Sequence, residues 1–447
     1  MTVERADIAI IGAGPAGIAA AISAASRGKS VLVLDEQPDL GGQIWRGSPS
    51  GPARAWRDRF LASGARHLPG STVIGISNGR LLVDADKPFH VEAPRVILAV
   101  GARELFLPFP GWTLPGVAGV GGLQALVKAG LDVRGKRIVV AGSGPLLLAV
   151  AHGLADHGAS VQAIVEQADG AAVRSFALGL WKHPAKLIQA AWLRASLFAV
   201  PYWTGAWPVR AEPVSMADPK LGSVILFDGR QELRVPCDLL ACGFGLVPNL
   251  HLPAILGATI ESGVVKTDDL MRTAPSPAAS ANHPALWCAG EPTGIGGVEV
   301  SLLEGQVAGF AAADDEQAAR KLLPKLTRAH AFAASLAETF APRAEVRSLV
   351  RHETIVCRCE DVNWSRIKPC TSWRDAKLQT RCGMGPCQGR ICGPAVAALT
   401  GWPVADARPP AASVSARALL SLLSSSPAHP SPSSPPQPSP EPTHEQV

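Results

Sequence analysis

Charged residues make up only 18% of this 447-residue chain, and its 42 Lys and Arg against 37 Asp and Glu leave a formal charge of +5 with no basic block. Bases are not interleaved with aromatics either, so nucleic acid is not an expected partner. A secretory leader is also lacking: Met1-Thr-Val-Glu-Arg-Ala-Asp runs straight into an apolar strand without the charged, apolar and cleavage regions that export needs, and export by that route is not expected. A long charge-free stretch lies between Asp238 and Glu261 and is broken by Pro248, Asn249, His251 and Pro253. It reads as buried strand and loop, not as a membrane span. What the chain has in quantity is 44 Gly and 39 Pro, which suits a globular protein of two or three domains built on nucleotide-binding turns and small-residue helix packing.

The nine cysteines, with no extracellular signal, point to thiols or metal ligands and not to a disulfide framework. Cys237, Cys242, Cys288 and Cys370 stand singly, and the first three, in apolar strand-like segments, are expected as packed core thiols. Cys357-Arg-Cys359 and Cys387-Gln-Gly-Arg-Ile-Cys392 are different: two close thiolate pairs, separated by a stretch long enough for a helix, can clamp the two irons of a 2Fe-2S cluster. A zinc site or reduced structural thiols are the alternatives. Residues 356–401 resemble the small helical module of bacterioferritin-associated ferredoxin, in which a glycine-rich turn precedes the second pair and a helix follows. Gly383-Met-Gly385 and Pro394-Ala-Val-Ala397 match that order and favour Cys392 over Cys382, which falls before the turn, as fourth ligand.

Upstream, the apolar run Ile8-Ala-Ile-Ile11 turns through Gly12-Ala-Gly14-Pro15-Ala16-Gly17 into a small-residue helix, and a second strand, Val31-Leu-Val-Leu34, ends in Asp35-Glu36. This is a βαβ dinucleotide signature. Gly12 permits the tight turn, Gly14 the approach of the diphosphate, Gly17 the close packing of helix on strand, and the helix N-terminus faces the diphosphate. Asp35, with Glu36 as the alternative, is the candidate ribose acceptor. The motif alone suits FAD or NAD. The segments Gly41-Gly42-Gln43, Gly101-Ala-Arg103 and Ala289-Gly290-Glu291 resemble the flavin-side turn, exit strand and distal motif of two-dinucleotide-domain flavoproteins, which favours FAD. Glu291 stands where Asp is usual.

Between these segments lies a second unit, Arg137-Ile-Val-Val-Ala-Gly142-Ser-Gly144-Pro-Leu-Leu147, followed by a helix-like stretch and the strand Val161-Gln-Ala-Ile-Val165 with Glu166. Leu147 takes the third glycine position, where a bulky side chain alters the site. Glu166 is compatible with a free ribose hydroxyl and poorly with a 2'-phosphate. An ADP-containing nucleotide such as ATP, NADH, or no ligand at all remain open for this unit. No reactive cysteine pair lies near Gly42 or in the insert, so disulfide reduction lacks its chemical means.

The fold class expected is therefore α/β: a two-dinucleotide-domain, Rossmann-like flavoprotein with a small helical C-terminal 2Fe-2S module. The expected bounds are an FAD domain at 1–128 and 270–312, an insert at 129–269, a helical connector at 313–350, the cluster module at 351–405 and a disordered Pro/Ser-rich tail at 413–447. Tryptophans in the helical-looking stretch 175–198 are expected as core or interface anchors.

The combination of Asp35-Glu36-Gln-Pro with Gly41-Gly42-Gln43, then Leu107-Pro-Phe-Pro-Gly-Trp-Thr-Leu-Pro-Gly116, Gly142-Ser-Gly-Pro-Leu-Leu-Leu148 and Thr380-Arg-Cys-Gly-Met-Gly-Pro-Cys-Gln-Gly-Arg390 resembles one family. It is the FAD and iron-sulfur subunit of hydrogen cyanide synthase, opine oxidases and dye-linked proline or hydroxyproline dehydrogenases. The resemblance implies a heteromeric, cytoplasmic enzyme, peripheral at most at the inner membrane face through its complex. In it, this chain accepts electrons from an amine-oxidising flavoprotein subunit, with a small ferredoxin-like subunit as a further candidate partner. No catalytic acid, base or nucleophile is identified in this chain. A flavin takes electrons in pairs and a 2Fe-2S cluster passes them singly, so the residues alone support electron transfer. A free-standing NADH-dependent reductase and a non-catalytic cluster-bearing sensor or assembly protein are the competing readings.

Overall fold

The computed structural model describes residues 2–47, 51–275, 283–403 and 407–423. Two parallel five-stranded sheets dominate it, and they are built alike. The first runs in the order Ala285–Cys288, Arg95–Leu98, Ile8–Ile11, Val31–Leu34, Arg66–Leu68. The second runs Val117–Gly119, Leu239–Gly243, Arg137–Gly142, Ser160–Glu166, Tyr202–Thr204. In each, the glycine-loop strand is central and the acid-bearing strand lies beside it. Ile8–Ile11, Val31–Leu34 and Arg137–Gly142 carry the continuous apolar runs of strands covered on both faces.

The helix Pro15–Ala25 follows the first glycine loop with proline in its first turn, where a missing N–H costs nothing. It packs against Gly297–Ala312 through small residues: a Cβ on Gly305 would run into the Ala16 carbonyl, and one on Gly309 into the Ala20 carbonyl. Small side chains here let two backbones approach to a distance that larger ones forbid. That contact brings the distal Gly290 turn back onto the first glycine loop.

The chain crosses between the two units through a pair of short antiparallel strands, Ala102–Glu104 and Leu246–Pro248. Residues 117–128 pair and pack with the second sheet, where Val120, Leu123 and Val127 join the core of Val140, Val150 and Ile164. Residues 251–265 return to the first unit, where Leu256, Ala258 and Val265 pack with Ile11 and Leu32. The bounds expected at 129 and 269 are thus displaced toward these crossing strands, because pairing and burial follow the sheets and the glycine motif marks only the centre of each.

The connector comprises helices Glu316–Arg320, Leu323–Thr339 and Ala344–Arg347. The C-terminal module has its own small core of Val356, Val362, Ile367, Trp373, Ala376 and Val396. The tail expected without a core from Ser413 onward begins otherwise: Ala416–Leu423 is a helix, and Ala412, Val414 and Leu419 cover Ile74 and Leu82 of a separate four-stranded sheet. The apolar run within this stretch has a surface to bury against. The remaining 424–447 lie outside the described residues.

Replacing Gly305 by Val should cost about 1–3 kcal/mol through overpacking. Gly153→Ala, in a helix where a new Cβ meets only the Gln124 amide at 4.0 Å, should be neutral or stabilising. Urea denaturation of both variants checks the contrast.

Candidate functional site

The first glycine loop is an open cradle. Gly12 has φ +106°, and a Cβ there would strike the Ala99 carbonyl; one on Gly17 would strike the Gly12 carbonyl. Gly14 meets nothing within 4 Å, which leaves its backbone open to a ligand. Pro15 and Ala16 open the helix behind it. Gly41 donates its N–H to the Ala13 carbonyl at 2.8 Å, and Gly42 (φ +57°) would place a Cβ 3.0 Å from the Gly14 Cα, so this turn closes one side. Gln43 is exposed next to it. Gly101 (φ +67°) ends the return strand, and Gly290 (φ +83°) sits over Ala16 with only 2.9 Å left for a Cβ.

The acid at the strand end is engaged with the loop itself. Asp35 accepts from the Ala13 N–H at 2.5 Å and from Gln37 N–H at 2.7 Å, so it braces the glycine loop. Glu36 is exposed next to it and presents the second carboxylate. Glu291 accepts from the Gly297 N–H at 2.9 Å, while its Oε2 is buried with no partner, and burial raises its carboxyl above the usual range. An orphaned buried acceptor beside a Gly-lined cradle fits a dinucleotide hydroxyl donor. The residues present therefore fit FAD.

One buried acid beneath this site has no motif around it. Glu304, 2% exposed on helix Gly297–Ala312, accepts from the Gly290 N–H and the Thr293 hydroxyl, both at 2.7 Å, and its other oxygen lies 2.9 Å from His330 Nε2. It pins the distal turn to the connector helix. Its helix also carries Glu299 and Gln306, so its place in the sequence gives no signal.

The second glycine loop is closed. Glu166 is fully buried and accepts from the Gly144 and Ala168 N–H groups at 2.6 and 2.8 Å, and burial pushes its carboxyl up to about 7. It braces the loop and does not face a ribose, contrary to the expected role. Leu147 is buried in the insert core. Across the loop lies the connector: Ser143 Oγ donates to the Phe340 carbonyl at 2.6 Å, Gln167 Nε2 donates to the Ala341 carbonyl at 3.1 Å, and the Arg343 N–H donates to Gln167 Oε1 at 2.9 Å. The Phe340 side chain stands 3.9 Å from where a Gly144 Cβ would be. Residues 340–343 thus cover the place over Gly142 and Gly144 where a nucleotide would lie.

All nine cysteines are free. Cys237, Cys242 and Cys288 are buried core thiols, and burial raises all three. The sulfurs of Cys357, Cys382 and Cys392 lie within 4.8 Å of one another. Cys359 is exposed and Cys387 half-buried. Two of the four expected ligands, Cys357 and Cys392, are thus gathered with Cys382, which the turn before Gly383 does not remove; Cys359 and Cys387 stand outside that group. Hydrogen bonds from Cys382 and Cys392 hold the Cys357 thiol down to about 2, and the same contacts push Cys382 up to about 12 and Cys392 further up still. Such a set sheds its protons when a cation binds. Cys392 opens the helix Cys392–Thr400, whose positive end favours a thiolate, whereas Cys382 lies just past the C-terminal end of Trp373–Thr380. The module is tied to both nucleotide units: Trp112 Nε1 donates to the Ile355 carbonyl at 2.6 Å, and Arg103 Nη1 reaches the Arg390 carbonyl at 3.4 Å.

Comparison with known proteins follows the same geometry. The pyridine nucleotide-disulphide oxidoreductase family matches residues 6–305. The chain belongs to this family. It is 33% identical over 444 residues to one component of the opine oxidase of Rhizobium meliloti, covering 88% of this chain and 92% of that one. It is 30% identical over 428 residues to hydrogen cyanide synthase subunit HcnB of Pseudomonas aeruginosa, covering 86% and 90%. Among solved structures it is similar in fold to L-proline dehydrogenase from P. horikoshii, with a TM-score of 0.62 and 20% identity over 94% of this chain and 80% of that one. The chain is thus an oxidoreductase of a flavoprotein family with Rossmann-like units. Among the described residues no helix is long and apolar enough to cross a membrane.

Two measurements test this geometry. Glu304 raises the pKa of His330 through their hydrogen bond, so the stability that His330 adds is fully present below about pH 6.5 and is lost as pH rises through the raised value. The melting temperature of the native chain should exceed that of His330→Ala by more at pH 5.5 than at pH 8.5, in differential scanning fluorimetry. Iron analysis should find Cys392→Ser and Cys387→Ser depleted of iron and Cys382→Ser still loaded.

Proposed function

We propose that this chain is the electron-accepting subunit of a heteromeric dehydrogenase or oxidase. It holds FAD in its first nucleotide unit and a 2Fe-2S cluster on Cys357, Cys359, Cys387 and Cys392, and takes electrons from a partner flavoprotein that oxidises an amine or amino acid. The observation that carries this reading is the gathering of the Cys357, Cys382 and Cys392 sulfurs, with Cys359 and Cys387 in the same module, which is held against the flavin-side exit strand by Arg103 and against the insert by Trp112. Bound there, a flavin would supply two-electron and the cluster one-electron chemistry. The chain's own residues supply the cradle of Gly12, Gly14 and Gly17, the acceptor Glu291, and the thiolates. The relatives named as subunits of opine oxidase and hydrogen cyanide synthase support a partner of the amine-oxidising kind.

The closed second loop argues against the competing reading of a free-standing NADH reductase. NADH binding there would have to displace residues 340–343 and break the bonds they make to Ser143 and Gln167. An anaerobic visible spectrum of the purified chain tests this. Flavin and cluster bands should both be present and should stay unbleached on adding NADH, and should bleach when the partner flavoprotein is supplied together with its amine substrate. Rapid bleaching by NADH alone would overturn the assignment in favour of the reductase.

A further inference from the structure

The strand Ala102–Glu104 leaves the first nucleotide unit just after the Gly101 turn and pairs with Leu246–Pro248. Successive side chains of a strand point to opposite faces, and here that alternation separates two opposite charges. Glu104 turns to one side, where its carboxylate accepts the N–H groups of Gly121 at 2.6 Å and Gly122 at 3.1 Å. Arg103 turns to the other, toward the cysteine module, where its Nη1 reaches the Arg390 carbonyl at 3.4 Å. That contact is long for a guanidinium. Among the described residues it is the one hydrogen bond or ion pair that Arg103 makes, and its Nε is buried with no partner. Burial and then the like charge of Arg390 push the guanidinium below its usual range, and Cys387 is the group that acts the other way, favouring the charged form.

A guanidinium drawn out of water without a counter-ion costs stability unless an anion is close by. The module beside it is the one proposed to hold such an anion. A 2Fe-2S cluster bound by thiolates is negatively charged and becomes more so on taking an electron, and its potential responds to net charge, hydrogen bonding and burial around the sulfurs. A sheltered cation acts on it more strongly than one in water. Arg390, nearer to the cysteines in sequence, is exposed, so its charge is screened, whereas Arg103 is half-buried and keeps its charge at every ordinary pH. We propose that Arg103 is the counter-ion of the cluster: from the exit strand of the flavin unit it stabilises the reduced cluster on the Cys387 side and raises its reduction potential, favouring passage of one electron from the flavin to the cysteines. Arg103 touches neither substrate nor reacting atoms, so it is a positioning residue. The charge that tunes the cluster then belongs to a different unit from the one that holds it, and acts only while the module is docked. This role rests on the cluster proposed above and names the residue that sets its driving force.

The test reads the midpoint potential of the cluster in the purified full-length holoprotein, by electron paramagnetic resonance during an anaerobic redox titration. Arg103→Gln should lower the reduction equilibrium about tenfold, which is about 59 mV for one electron, with iron content and flavin absorption unchanged. Arg103→Lys, which keeps the charge, should recover most of the native value. Should Arg103→Gln fail to retain iron, Val247→Glu decides. Val247 lies opposite Arg103 in the strand pair, where a carboxylate would neutralise the guanidinium and leave it in place. Val247→Glu should lower the potential and Val247→Gln should not. An unmoved potential in iron-loaded Arg103→Gln, or in Val247→Glu, overturns the role of Arg103 and leaves the cluster reading standing. An equal fall in Arg103→Gln and Arg103→Lys does the same, since it would mark a contact and not a charge. A native chain that holds flavin but no reducible cluster, even after reconstitution with iron and sulfide, overturns both.

Discussion

Everything at the first nucleotide site depends on the close contact of two helices, Pro15–Ala25 and Gly297–Ala312. They are nearly three hundred positions apart in sequence and meet where Gly305 and Gly309 lie against the backbone of Ala16 and Ala20. The contact fixes the depth at which the Gly290 turn sits over the glycine loop. Glu304, from the same helix, then satisfies that turn's N–H and carries the constraint on to His330 of the connector. A cradle for a dinucleotide is thus assembled from two ends of the family domain by shape alone, with one buried carboxylate as its fastening.

Much of this was legible in the sequence, and the reasons are particular. Gly12, Gly17, Gly41, Gly42 and Gly290 are called for by backbone conformations or approaches that other residues resist, so the glycines announce the loop wherever it occurs. The roles of Asp35 and Glu166 were not legible, because a strand pattern places a carboxylate at the end of a strand without saying whether it turns outward to a ribose or inward to a loop N–H. In both units it turns inward. Glu304 was not legible because an acid in a helix of small residues carries no spacing signal. Cys382 was set apart by its place before a glycine turn, yet that turn folds back and returns its sulfur to Cys357 and Cys392.

The two units answer the same strand order with different loops. The first keeps a third glycine and an open face; the second has Leu147 buried in its core and a carboxylate at about 7 locked among backbone N–H groups. A unit whose loop is bonded to residues 340–343 offers a rigid sheet end, and the connector uses it as an anchorage. The insert is then a support for the segment that precedes the cysteines, beside whatever else it does.

That anchorage has a mechanical consequence. Residues 340–343 are held on the insert, Ile355 is held by Trp112, and Arg390 by Arg103, so the cysteine module is moored at three points around its circumference and has no long leash on which to swing. Ferredoxins that travel must find their donor by diffusion and dock again at each turnover. A module moored in this way keeps one fixed separation from the flavin-side strand. The pace of any transfer between them would be set by distance and driving force, and would not slow in a viscous medium.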